Sequence, residues 1–108
     1  MIEPLQALDF IRDNALPLAQ AKANRIYLEE FRKTQKALSM REAEDGGVVT
    51  IGAQEREAYT HEKYQKLLLG LKEAVQEEER LRWLMIAAQA KIEVWRSFES
   101  SKRAEMKL

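Results

Sequence analysis

The chain has no cysteine, one histidine, two prolines and four glycines among its 108 residues. Each scarcity excludes something. Without thiols there is no disulfide framework, so the sequence predicts a fold suited to the reducing cytoplasm. One imidazole and no thiolate cannot make a zinc site of the usual ligand set, and a catalytic triad needs a nucleophile poised beside its histidine. His61 therefore reads as a surface or helix-start residue. Both prolines fall within the first 17 residues, and the glycines are Gly46, Gly47, Gly52 and Gly70. A β-sandwich would need turn residues every eight to twelve positions or so. They are missing, so the fold class is all-α. The same four glycines fit neither the Walker loop nor the dinucleotide fingerprint. The expectation is a non-enzyme with no catalytic residue, cofactor or metal.

Long apolar runs are missing too. The most apolar window, 81–98, still carries Arg82, Lys91, Glu93 and Arg96, which rules it out as a membrane span. Met1-Ile2-Glu3-Pro4 lacks the basic and apolar regions of a secretion signal.

What is present is a dense mixture of apolar (45%) and charged (33%) residues, enough for one folded domain over 1–108 and too apolar for a disordered chain. Lys and Arg balance Asp and Glu at 18 each, but in blocks. The net charge is −2 over 1–21, +4 over 22–41, −6 over 42–79 and +4 over 80–108. Alternating blocks suit helices lying side by side with complementary faces. They do not describe a uniformly basic nucleic-acid binder.

Three helices are predicted, over about 4–14, 17–44 and 61–107, with 45–60 as connector. Pro4 suits a first helical turn, and Leu5, Leu8 and Ile11 form a short stripe with Phe10 beside it. Pro17 either starts a second helix or kinks a continuous one, and the restart is the favoured expectation. In the second helix Ala19, Ala23, Ile26, Tyr27, Phe31, Thr34 and Leu38 define the expected buried face, and Gly46-Gly47 the stop. Val48 to Gly52 reads as a β-like connector whose valines pack back, and Ala53 to Tyr59 as a short helix or an extra turn. Thr60 reads as the next N-cap.

The third helix carries the clearest pattern. Tyr64, Leu67, Leu71, Ala74, Glu78, Leu81, Met85, Ala88, Ile92 and Trp95 follow 3-4 spacing throughout, a coiled-coil seam broken only by Glu78. Glu78 reads as a polar register-setter. Its neighbours Glu77 and Glu79 diverge by about 100° per residue, so the three cannot converge on one ion. They are expected to form a solvated acidic turn facing Lys33 and Lys36. A second stripe, Trp83, Ala87, Ala90, Val94 and Phe98, makes 81–98 apolar over most of its circumference.

Length sharpens the point. At 1.5 Å per residue the last helix is roughly 70 Å long and the second about 42 Å. In a long antiparallel hairpin the second helix then ends near 85–90. The first helix, with Leu5, Leu8 and Ile11 near Ile92 and Trp95, is too short to cover both faces. A homodimer or larger helical bundle is the expected remedy, closed through Leu81, Trp83, Met85, Ala87, Ala88, Ala90, Ile92, Val94, Trp95 and Phe98. Candidate nucleic-acid contacts are Lys22, Arg25, Arg32, Lys33 and Lys36, with Lys102, Arg103 and Lys107 in the tail; Glu29 and Glu30 interrupt that stripe.

The segments AQAKANRIYLEEFRKTQKAL (19–38) and AQEREAYTHEKYQKLLLGLKEAVQEEERLRWLMIAAQAKIEVWRS (53–97) resemble a family of small, mostly uncharacterised helical proteins of bacteriophages and prophages, encoded near early genes for DNA recombination and replication. The resemblance implies an accessory protein in the cytoplasm of a host cell. It rests on no catalytic motif and carries no site residues across. The expected function is non-enzymatic protein–protein contact, on host or phage DNA-processing machinery. The alternatives are a nucleic-acid-binding accessory factor and a scaffolding component of virion assembly.

Overall fold

The computed structural model describes residues 3–107 and is all-helical, with no strand among them. Helix α1 spans Pro4–Asp45, α2 spans Ile51–Thr60 and α3 spans Glu62–Met106. No helix is long and apolar enough to cross a membrane among the described residues.

The expected break at Pro17 does not occur: α1 runs for 42 residues with Pro17 inside it. An internal proline removes one backbone bond and costs roughly 3 kcal/mol, which tertiary packing can offset. Ala7 is buried ahead of Pro17, and Leu18 and Ala21 are half-buried beyond it. The Asn14 amide also donates to the Phe10 carbonyl at 2.9 Å, tying the turn before the proline.

Glycine does end α1. The Val48 N–H reaches the Ala43 carbonyl at 2.9 Å and the Gly47 N–H reaches Glu44 at 3.0 Å. This is a Schellman cap, and Gly47 supplies its left-handed residue at φ +99°. The connector is shorter than expected because α2 begins inside the β-like stretch. Thr50 starts it: its hydroxyl accepts from the Ala53 N–H at 3.2 Å. Val48 is half-buried, whereas Val49 is exposed.

The cap of α3 is His61 and not Thr60. The Thr60 hydroxyl donates back to Arg56 and Glu57 as the last residue of α2. The His61 Nδ1 lies 3.0 Å from the Lys63 N–H and accepts from it, so Nε2 carries the ring hydrogen toward Glu42, also at 3.0 Å.

The described residues divide into two compact units, one of residues 21–77 and one of 3–20 with 78–107. In the first, α2 docks on the end of α1. Ala58 is fully buried and Ser39 is 1% exposed, so small side chains sit where packing is tightest. Gln35 donates to Ser39 at 3.0 Å and Gln54 to the Val48 carbonyl at 2.9 Å. Lys36 lies 4.8 Å from the centre of the Tyr59 ring and 3.5 Å from Glu55, while Lys33 pairs with Glu30.

The inward face of α1 also departs from expectation. Gln35 and Ser39 are buried, and Arg25 and Leu28 half-buried. Ile26, Tyr27 and Leu38 are exposed, with Tyr27 stacked on Phe31 at 5.8 Å. Ranking positions by hydrophobicity misplaced this face, because every polar side chain on the true one is small or finds a partner. No buried side-chain nitrogen or oxygen lacks a hydrogen bond among the described residues.

Candidate interaction surface

In the unit of 3–20 and 78–107, the seam of α3 is the inner face. Leu81 and Ala88 are buried and Met85 and Ile92 half-buried. These four were expected in an interface between copies; Leu81 and Ala88 are instead spent on the chain's own core. The first turns of α1 also meet α3 earlier than expected. Ala7 and Phe10 lie with Leu84, Ala87 and Ala88, while Leu5 and Leu8 face solvent.

The second stripe remains open. At 100° per residue, Trp83, Ala87, Ala90, Val94 and Phe98 lie about 150° around α3 from the seam. All five are exposed, with Trp83 at 59% and Phe98 at 60%. Trp95, although at a seam position, is 38% exposed. Arg82 holds one side of the indole: its guanidinium lies 4.9 Å from the Trp83 ring centre and 2.8 Å from Glu79. The bond to Glu79, then its charge, raises the Arg82 pKa further above its ordinary value. The guanidinium therefore stays charged beside the Trp83 ring.

Beside the stripe is a cavity of about 450 Å³, lined by Glu3, Gln6, Ala7, Phe10, Leu84, Ala87, Ala88 and Lys91. The sequence reading missed it, because Phe10 and Leu84 meet only through the register of the two helices. Its lining mixes apolar side chains with the Glu3 carboxylate, the Gln6 amide and the Lys91 ammonium. Among the described residues no three His, Cys, Asp or Glu side chains are grouped to hold a metal ion.

Several of the candidate nucleic-acid residues are ion-paired. Arg25 bonds Glu29 at 3.0 Å, Lys33 bonds Glu30 at 3.3 Å, and Lys36 reaches Glu55. Lys102 lies 3.6 Å from Glu99. Lys22, Arg32, Arg103 and Lys107 are exposed.

Among the described residues the buried apolar side chains are Ala7, Ala58, Tyr64, Ala74, Leu81 and Ala88, four of the six being alanines. Of the larger ones Trp83, Phe98, Tyr27 and Leu5 are exposed, whereas Phe10, Leu28, Phe31, Leu67, Leu71 and Ile92 are half-buried. Burying a large apolar side chain stabilises by roughly 1.5–3 kcal/mol, and an alanine methyl by less. The exposed rings hold part of that driving force in reserve for association. Comparison with protein-family models, with curated proteins and with solved structures finds no significant match to this chain.

Proposed function

We propose that this chain is a non-enzymatic accessory protein that works through protein–protein contacts, first of all with a second copy of itself. The observation that carries the reading is the exposed stripe of Trp83, Ala87, Ala90, Val94 and Phe98 on a helix whose opposite face is already occupied. Contiguous apolar surface of this kind, rimmed by charge, marks an interaction site. In this reading α1 and α3 form a long antiparallel hairpin, and two hairpins close a helical bundle through 81–98. The second apolar patch, Tyr27 with Phe31 and Leu38, is left to engage a different protein. The resemblance to phage and prophage proteins points to a cytoplasmic partner in DNA recombination or replication. The ion pairs of Arg25, Lys33 and Lys36 weigh against phosphate tracking.

The test is affinity capture of the tagged chain from host cells expressing the phage early genes, with and without nuclease, followed by mass spectrometry. The expected result is a protein partner that survives nuclease and is recovered in proportion to the chain. Loss of every co-purifying protein on nuclease treatment would overturn the reading in favour of nucleic-acid binding.

A further inference from the structure

We infer that the junction of α2 and α3 is a proton-operated latch, in which the charge on His61 decides whether its ring caps α3 or is held by α1 alone. His61 is the one histidine of the chain and the single residue between the two helices. Both ring nitrogens are engaged. Nδ1 accepts from the Lys63 N–H at 3.0 Å, and Nε2 lies 3.0 Å from a carboxylate oxygen of Glu42 on α1. The first contact needs a bare Nδ1 and the second a hydrogen on Nε2. Only one neutral tautomer supplies both.

A second proton must go to Nδ1, since Nε2 already carries its own. It removes the lone pair that caps α3 and sets two N–H groups against each other across 3.0 Å. It also places a positive charge at the positive end of a helix, where cations are disfavoured. At Nε2 the same proton does the reverse, because the bond to Glu42 gains charge assistance. The Glu42 side chain is 64% exposed and can follow a swinging ring, whereas the Lys63 N–H is fixed within α3. The protonated ring therefore leaves α3 and stays on α1. Imidazole is the side chain whose charge ordinarily changes between about pH 5 and 8. The other charged groups around the junction leave the exchange to this pair. On α2, Glu57 lies one turn before the ring; on α3, Glu62 pairs with Lys66 at 3.0 Å and Lys63 is exposed. The Gln65 amide still holds the Tyr59 carbonyl at 2.6 Å and Tyr64 remains buried, so α3 loosens at its first turn and keeps its packing.

The test is two-dimensional NMR of the isotope-labelled full chain, titrated from about pH 8 to about pH 5, the range in which an imidazole changes charge. The Lys63 amide signal is expected to move with the His61 ring signal at a common midpoint. Its protection from hydrogen exchange, corrected for the intrinsic effect of pH, is expected to fall about fivefold as the cap is lost. In His61→Asn, which caps without titrating, the Lys63 amide should hold still over the same range. In Glu42→Gln the ring should titrate at lower pH, because no carboxylate favours the added proton. A Lys63 amide that stays put while the ring titrates, or that moves equally in His61→Asn, overturns the release of the cap. A ring midpoint unmoved in Glu42→Gln overturns the hold by α1.

Discussion

The two units of this chain solve one packing problem in different ways. Residues 21–77 bring three helical segments together, and the small or polar side chains of Ser39, Gln35, Gln54, Ala58 and Ala74 are buried there with Tyr64. Side-chain bonds, a Schellman turn and two helix caps hold it. Residues 3–20 and 78–107 have two segments only, with Leu81 and Ala88 inside and Trp83, Val94 and Phe98 outside. The first adds the short helix α2 to its packing, and the second presents Trp83, Val94 and Phe98 along one stripe. Apolar surface remains on both, since Tyr27 and Leu38 of the first are exposed as well.

That contrast can be broken most directly at the stripe. Changing Trp83→Glu and Phe98→Glu together is expected to weaken self-association by several hundred-fold, roughly 3–4 kcal/mol, as measured by sedimentation velocity across a dilution series. The far-ultraviolet circular dichroism at high dilution should not change, because neither ring belongs to the chain's own core. A collapse of helicity in the double variant would place both rings inside the fold. The unit of 21–77 should show the opposite behaviour. Ala58→Leu forces a larger side chain into a fully buried position and should cost about 1–3 kcal/mol in urea unfolding, with self-association unchanged.

Smaller effects sharpen the comparison at the junction of α2 and α3. His61→Ala removes the acceptor of the Lys63 N–H and the contact with Glu42. It should cost about 1 kcal/mol by thermal unfolding, whereas His61→Asn, which can still cap, should cost little. If the alanine and asparagine variants melt together, the imidazole is not capping. The smallest effect is the alkaline one. Hydrogen bonding to Tyr59, then the charge of Glu55, raises the Lys36 pKa above its ordinary value. A raised folded pKa means this contribution is complete below the unfolded value and is lost as pH climbs through the folded one. Lys36→Met should therefore flatten the high-pH limb of the stability curve and leave the acid limb alone, as followed by urea midpoints against pH.

Much of the fold is legible in the chain itself, and what is not has physical reasons. The helical class follows from missing turn residues, the end of α1 from Gly46-Gly47, and the α3 seam from apolar residues at 3-4 spacing. The complementary seam on α1 has similar spacing but is written in Gln35, Ser39, Arg25 and Asn14. A search for apolar residues therefore selected Ile26, Tyr27 and Leu38, which lie outside. Pro17 was overweighted because its roughly 3 kcal/mol cost was set against no packing term. At the candidate site the exposed stripe was visible as periodicity alone. The assignment of Leu81 and Ala88 to the chain's own core depends on how two helices register, and no single-helix pattern carries that.

Sedimentation equilibrium of the purified wild-type chain over a wide concentration range tests the central claim most directly. The account predicts a reversible shift from 12.6 kDa toward twice that mass as concentration rises. A single ideal species of 12.6 kDa at the highest concentration, with full helicity, would contradict it.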